Sequence, residues 1–314
     1  MRNPLVSIVT PSFNGESFIE DVILSIKHQT YQNIEHIIVD GGSTDRTRDI
    51  ICRHEGTYRM RWLSEADDGM YEAINKGMRL AGGDILAYLN CDDLYLPWSV
   101  QTAVSYLQEY PIIFGDWLNL DCDQGSANLE FAVPFVSSYY RCAGIIAQPT
   151  VFWRREVVRR IGEFDQRFGG LGDVDYWLRA ASVGYCPRRV DEVLAIVRNH
   201  ASNLSAKNKD SFRRELESIR QAYSHPVARA LWAHIPVMPI YRRIQFIRYT
   251  LGLSSVCPLL RAAKAIPADW KSLLNALWPS SRRLALYVDW ARLLPLGVTL
   301  EPSAPATSSR LHDG

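Results

Sequence analysis

The residues best placed to do chemistry come in short polar bursts that end apolar runs. Asn90-Cys91-Asp92-Asp93 closes the run Ile85 to Leu89, and Asp40-Gly41-Gly42-Ser43-Thr44-Asp45 closes Ile34 to Val39. Neighbouring carboxylates repel each other unless something positive lies beside them. A hard divalent cation carrying substrate phosphates is one such partner; for Asp92 and Asp93 a solvated loop is the other reading. Asp40 can serve a ligand as an acceptor-only carboxylate or bond the backbone of its own turn.

The elements that must hold these groups follow from periodicity. Leu5 to Thr10 is a β-branched strand that Pro11 should stop, because proline cannot donate to a ladder. Asn14-Gly15 signals a turn, and Ile19, Val22, Ile23 and Ile26 then recur at helical spacing. Ile34 to Val39 and Arg61 to Ser64 read as the next strands. The glycines after Asp40 permit a tight turn, with Ser43, Thr44 or Asp45 available to cap a helix. Met70, Ile74, Gly77 and Ala81 form the inner stripe of another helix, stopped by Gly82-Gly83. The run from Ile85 is too short and too abruptly ended for a core helix, and reads as a buried strand. Strand and helix in alternation predict an α/β fold with a mostly parallel, doubly wound sheet. Strand ends at Pro11, Asp40 and Asn90 then share one cleft at the carboxyl edge, where such sheets bind ligands.

With 314 residues the chain holds one large domain plus an appendage. Charged residues are 22% and the net charge is +1, so nothing advertises nucleic-acid binding. Six cysteines, at 52, 91, 122, 142, 186 and 257, include no CxxC pair, and no secretory leader is evident. They read as reduced thiols in a cytoplasmic protein, with Cys91 a buried spacer. The charge is uneven: residues 211–314 carry +8 and residues 1–210 carry −7. The basic part mixes Trp232, Tyr241, Trp270, Trp278, Tyr287 and Trp290 with arginines, which suits an anionic membrane interface. A helical appendage with ordinary surface arginines fits the same residues. No run of about 18 apolar residues predicts a membrane span. The expected layout is a catalytic domain at 1–210 in two halves, about 1–115 and 116–210. A helical basic extension follows at 211–300, then a disordered tail at 301–314.

The chain resembles the family 2 glycosyltransferases. The resemblance rests on Pro11-Ser12-Phe13-Asn14, Val39 to Asp45, Asp68-Gly69-Met70-Tyr71-Glu72-Ala73-Ile74-Asn75-Lys76-Gly77, Gly83 to Asp93, and Gly162 to Arg179, all in order and spacing. It covers roughly residues 4 to 205 and looks closest to bacterial enzymes of exopolysaccharide, capsule or lipopolysaccharide assembly. It implies the nucleotide-diphospho-sugar transferase (GT-A) fold, a nucleotide-sugar half followed by an acceptor half.

The resemblance also assigns roles. Pro11, Ser12, Phe13 and Asn14 lie against the nucleoside, and Asp40 accepts from the base or ribose. The family often has a second acid where this chain has Gly41. Glu65 and Asp67-Asp68-Gly69 line the nucleotide pocket, with Asn75 and Lys76 behind them on the helix. Lys76 reaches a phosphate or is a solvated helix residue, and Asp68 binds or caps. Asn90-Cys91-Asp92 falls on the family's metal-binding position, with Asn90 in place of its usual first acid. An amide oxygen is still a ligand for Mg²⁺ or Mn²⁺. Asp92 is the direct ligand, with Asp93 behind it or leading the next helix. In the loop Arg198 to Ser205, which in the family closes over the diphosphate, His200 adds a ligand or is a structural histidine, and Arg198 contacts phosphate. An inverting transfer needs a base opposite the leaving group. Asp173 is the first candidate and Asp175 the second, with helix capping as the alternative for Asp175. Gln148-Pro149-Thr150 borders the acceptor, and Trp153 is a sugar platform or core.

The implied partners are a nucleoside-diphosphate sugar, UDP foremost, and a saccharide or lipid-linked saccharide acceptor, met at the inner face of the cytoplasmic membrane. Gln245-Phe246-Ile247-Arg248-Tyr249 is similar to a signature of processive synthases. Its position and terminal Tyr favour an amphipathic helix and single-sugar transfer. Two other classes remain: a non-catalytic nucleotide-sugar-binding or scaffold subunit, and a sugar nucleotidyltransferase, whose Gly-rich basic loop the Pro11–Gly15 segment lacks. No GxGxxG follows the first strand, against a dinucleotide enzyme.

Overall fold

The computed structural model describes residues 3–123, 126–141, 146–203 and 209–224. In it the first four apolar runs become β1 (Val6–Ser12), β2 (Ile34–Asp40), β3 (Met60–Ser64) and β4 (Ile85–Tyr88). They alternate with α1 (Ile19–Lys27), α2 (Thr47–His54) and α3 (Met70–Leu80). All pairings among these strands are parallel, in the order β3-β2-β1-β4. The second half adds β5 (Leu94–Tyr95), α4 (Ser99–Tyr106), β6 (Ile112–Asp121), β7 (Ser126–Glu130), α5 (Ser137–Tyr140) and a 3₁₀ turn at Gln148–Thr150. Then come β8 (Phe152–Arg154), α6 (Arg155–Ile161), α7 (Gly172–Ser182), β9 (Arg188–Asn199) and α8 (Lys209–Tyr223). The sheet continues β4-β8-β6-β9-β5, with β7 on β6. There β6 and β9 are parallel, while β8, β7 and β5 pair antiparallel. The parallel, doubly wound pattern is thus the property of the first half.

Pro11 does not stop its strand, as its lack of an N–H suggested. Alternate residues of β1 bond to β2: Val6 donates to Asn33 O, and Gly41 donates to Ser12 O. Pro11 therefore faces the β4 side, and β4 has already ended at Tyr88, opposite Val9. No donor is needed there, so the strand runs on to Ser12.

Alternation along the strands sends residues to two cores. Val6 and Ile8 pack with α1 and α4, whereas Val9, Leu86 and Trp153 pack with α3 and α7. A β-carbon on Gly77 would lie 2.3 Å from Val9 Cγ1, so only glycine lets α3 sit this close to β1. Helix α8 crosses residue 210 and packs Phe212, Leu216 and Ile219 onto the α7 side. The rest of the basic extension, the Gln245–Tyr249 segment, the tail, Cys142 and Cys257 lie outside the described residues.

His36 on β2 is fully buried, with Nδ1 2.5 Å from Tyr58 Oη and Nε2 2.9 Å from Thr10 Oγ1. Burial pushes its pKa down to about 3. The unfolded ring takes a proton near 6.5 and the folded ring does not. Its contribution is therefore full above 6.5 and declines as pH falls toward 3. Acidifying from pH 7.5 to 5 should cost about 2 kcal/mol at this residue alone. Urea unfolding of wild type and His36→Gln at both pH values checks this. Equal pH dependence in the two proteins would contradict it.

Candidate active site

The loops after β1 and β2 are laced together at the carboxyl edge. Asn14, in the left-handed region at φ 50°, donates its N–H to Ser43 Oγ (2.8 Å) and accepts the Thr44 N–H at Oδ1 (2.9 Å). Gly15 donates to Thr47 Oγ1 (2.8 Å). The side chain of Asn14 is thus a loop tie. Phe13 beside it leaves its ring 63% exposed, an uncommitted apolar face at the rim. Pro11 and Ser12 are buried, and Ser12 Oγ has no partner among the described residues.

Asp40 is fully buried. It accepts the Ser43 N–H (2.9 Å), the Ser43 hydroxyl and the Ser64 hydroxyl (2.6 Å). Its oxygens build the turn, which corrects the expectation that they stand open to a nucleoside. Beside it, a β-carbon on Gly41 would lie 2.7 Å from Asp67 Oδ2. The acid missing at 41 has its space filled by Asp67. Burial raises the pKa of Asp67, and the Gly69 N–H and Lys76 only partly offset it.

Three residues on or just before α3 carry contacts that their sequence neighbours do not reveal. Asn75 is 1% exposed and clamps the backbone of Phe164, donating to its O (2.8 Å) and accepting its N–H (3.0 Å). Both ends of that amide are used, so Asn75 ties α3 to the α6–α7 loop and does not face a nucleotide. Lys76 lies between Glu65 and Glu72, 3.0 Å from each. A phosphate would have to draw it from two carboxylates. Asp68 does not cap: Glu72 accepts the Asp68 N–H (2.6 Å), and Asp67 accepts the N–H of Gly69 (3.0 Å), whose φ of 134° suits glycine.

Past β4, Asp92 Oδ2 lies 3.3 Å from His200 Nε2 and accepts from Asn203 Nδ2 (3.0 Å). His200 Nδ1 is 2.6 Å from Ser202 Oγ, and its ring stacks on Phe18 at 4.4 Å. Nε2 is buried with no hydrogen-bond partner among the described residues, and so is Asn90 Oδ1. Neighbouring ligands about 2.1 Å from one Mn²⁺ or Mg²⁺ ion stand about 3 Å apart. The separation of Asp92 and His200 suits a seat of two ligands for one such ion, with Asn90 Oδ1 near Asp92 in sequence. Among the described residues no cluster of three His, Cys, Asp or Glu side chains offers a cage by itself. An open cavity of about 390 Å³ adjoins the seat, lined by Asp121, Asp123, Asn199, His200, Asn203 and Lys209.

Arg198 is not available to phosphate. It is 2% exposed, and each of its three side-chain nitrogens donates: to Asp92 O, to Asp21 Oδ2 (2.5 Å) and to Phe18 O (3.4 Å). Its guanidinium stacks over the Phe18 ring at 4.7 Å. It fixes the end of β9 to α1 and to the loop carrying Asp92. Asp93 accepts the Arg198 N–H (3.1 Å); burial, then the Asp92 charge, raises its pKa well above the usual carboxylate range. Cys91 is a spacer, its thiol pushed up to about 12 by burial.

Both acids of α7 lie in its first turn, but they differ in their neighbours. Asp175 is held by Arg179 Nε at Oδ2 (2.7 Å) and by the Tyr223 hydroxyl at Oδ1 (2.7 Å). Its two oxygens are committed to structure, which removes it as a base. Asp173 has no cationic partner among the described residues. Oδ1 accepts the Val174 N–H (2.9 Å) and the Tyr71 hydroxyl (3.3 Å), and no hydrogen bond reaches Oδ2 among the described residues. Burial lifts its pKa to about 7, against the Val174 N–H and the Tyr71 hydroxyl, which pull it down. That value suits a general base near neutral pH. Glu215 of α8 fixes the preceding turn, accepting the N–H groups of Gly169, Gly170 and Leu171 at 3.0 to 3.1 Å.

Asp173 and Asp93, the neighbour of Asp92, both act electrostatically on Tyr88 at the end of β4. Tyr88, its last residue, interacts with the Tyr71 hydroxyl that holds Asp173, and its carbonyl accepts Gln148 Nε2 (2.7 Å). Trp153 is fully buried in the aromatic core with Phe164, Tyr176 and Trp177. Sequence reasoning named Asp67 and Asn203 only as members of longer segments and missed Glu215. Tyr71 was quoted only as part of a motif, although its place in the first turn of α3 was a usable signal.

This geometry has counterparts. A family profile, Glycosyl transferase family 2, matches residues 7–128. An uncharacterized glycosyltransferase of Mycobacterium tuberculosis is 32% identical over 184 residues, 57% of this chain and 70% of the relative. A PGL/p-HBAD biosynthesis glycosyltransferase of the same species is 28% identical over 211 residues, 65% of this chain and 80% of the relative. Staphylococcus aureus TarS 1–349 with UDP-GlcNAc superposes with TM-score 0.55 at 15% identity, covering 93% of this chain and 90% of TarS 1–349. Mannosyltransferase PcManGT of Pyrobaculum calidifontis, with GDP-Man and Mn²⁺, gives 0.55 at 18%, covering 94% and 84%. The matched profile, the relative at 32% identity and the superpositions agree: the fold is GT-A, and the chain is a glycosyltransferase that belongs to glycosyl transferase family 2.

Proposed function

We propose that this glycosyltransferase moves one hexose or N-acetylhexosamine, with inversion, from a nucleoside-diphosphate sugar to a hydroxyl of a saccharide acceptor. The observation that carries the reading is a buried carboxyl, Asp173, lifted to about 7, with Oδ2 uncommitted among the described residues and linked through Tyr71 and Tyr88 to the end of β4, the strand that the acidic seat follows. Oδ2 takes the proton of the acceptor hydroxyl as that oxygen bonds the anomeric carbon. The bond to the diphosphate oxygen breaks, and its electron pair leaves with the nucleotide. Asp92 and His200, with Asn90, would hold Mn²⁺ or Mg²⁺, whose positive charge, when bound, offsets that of the departing diphosphate. The amide and carboxylate lining of the adjoining cavity suits sugar hydroxyls.

UDP is the nucleotide this reading favours, with a lipid-linked saccharide of cell-surface polysaccharide assembly as acceptor. The chain would work at the inner face of the cytoplasmic membrane, its basic, aromatic extension resting on anionic lipid. No helix among the described residues is long and apolar enough to cross a membrane. Similarity to a PGL/p-HBAD biosynthesis glycosyltransferase supports a glycan product. Calorimetric titration with UDP, GDP, dTDP and CMP, each with and without Mn²⁺, tests the reading. One nucleotide should bind, and more tightly with Mn²⁺. No binding to any would favour a non-catalytic subunit.

A further inference from the structure

Tyr71 belongs to the donor-side helix α3, yet its hydroxyl is spent on the other half of the molecule. It is 2% exposed, accepts the N–H of Asp173 (3.1 Å) and reaches Asp173 Oδ1 (3.3 Å). Its ring stacks near Phe164 at 5.6 Å and lies against α7 at Gly172, where a β-carbon would be 2.9 Å from it. The backbone of Phe164 is the one Asn75 clamps, one helical turn further along α3. The contact is thus built from both sides. Helix α3 is pinned to the α6–α7 loop, Glu215 pins the turn before α7, and a glycine makes room for the ring.

We propose that Tyr71 is the positioning residue of the base: it holds Oδ1 of Asp173 so that Oδ2 alone faces the acceptor hydroxyl. The proposal rests on Asp173 being the base, and the helix it uses is the one that follows the nucleotide-side segment Glu65 to Gly69. Two consequences follow. The free carboxylate oxygen has one orientation instead of two. The hydroxyl also favours the ionised form, because a donor to a carboxylate stabilises its charge. The other titratable groups facing Asp173 act the opposite way or remain neutral: Glu215 of α8 raises its pKa, and Tyr88 of β4 stays protonated.

The test is Tyr71→Phe in the full chain, which keeps the ring and its packing. Protein labelled with ¹³C at aspartate Cγ gives the titration directly, with Asp173→Asn identifying the resonance. The midpoint of Asp173 should rise by about one unit in Tyr71→Phe. Release of nucleoside diphosphate from UDP-GlcNAc or GDP-mannose with Mn²⁺ should fall about tenfold at pH 6.5 and less than threefold at pH 9. Nucleotide affinity should not change. An unmoved midpoint, or a loss of turnover equal at both pH values, overturns the proposal. If the midpoint moves but Asp173→Asn turns over normally, Tyr71 still holds the carboxyl and the assignment of the base is what fails.

Discussion

Asp173→Asn should lower turnover about a thousandfold while leaving nucleotide affinity intact, the size of effect expected when a positioned base is lost. The side chain keeps its shape, and Oδ1 can still accept from Tyr71 and Val174. What disappears is the capacity of the second oxygen to take a proton. In the wild type the rate should climb through pH 7 and level off above it, because burial keeps the acid protonated below that value. The same shift has a stability consequence of opposite sign to that of His36. The folded state holds the proton more tightly than the unfolded chain, so Asp173 favours folding below about pH 4. That advantage is lost as pH rises to 7, and above it the buried charge is a constant cost. Asp173→Asn should therefore melt higher than wild type at pH 8 and no higher at pH 4. Scanning calorimetry and donor turnover on one preparation give both readings. A variant that is inactive and less stable at pH 8 would make Asp173 a structural residue.

Asp92→Ala should abolish the effect of Mn²⁺ on nucleotide affinity and reduce turnover about 10²- to 10³-fold, the several kcal/mol that a bound cation contributes to a departing diphosphate. The loop loses one scaffold bond with the carboxylate, from Asn203 Nδ2, which still donates to Arg198 O (3.1 Å). Arg198 bonds the backbone carbonyl of Asp92, and Asp93 holds the Arg198 N–H, so both ties survive the substitution. His200 would lose a neighbour at 3.3 Å but keep Ser202 and the Phe18 ring. Calorimetry of the nucleotide with and without Mn²⁺ reads the seat independently of turnover. Retention of the Mn²⁺ effect in Asp92→Ala would place the cation elsewhere.

What could be read without coordinates was whatever depends on neighbours in sequence. The β-branched runs, their polar terminations and the α3 stripe are local patterns, and they placed the donor loops and Asp92 near one edge, while Asp173 came from the family resemblance alone. What could not be read was the choice among distant partners. Nothing near Asn75 says that both ends of its amide go to a peptide 89 positions away. Arg198 shows the same limit: a basic residue after a last strand suggests phosphate until Asp21 and the Asp92 carbonyl take its donors. Asp173 and Asp175 were indistinguishable by spacing, and only Arg179 and Tyr223 separate them. Pro11 misled for a related reason, since its tolerance depends on where a different strand ends.

The closing strand β9 sets a timetable for biosynthesis. The seat joins Asp92 to His200, and Arg198 bonds Asp21 across 177 positions. During synthesis the strands β1 to β4 can assemble and present their loops well before Asp173, Arg198 or His200 has left the ribosome. For that interval the nascent chain holds a donor-side surface with neither base nor finished seat. A nucleotide sugar meeting it would be retained, at most, and not spent, so reactivity arrives last, with the strand that locks the two halves together.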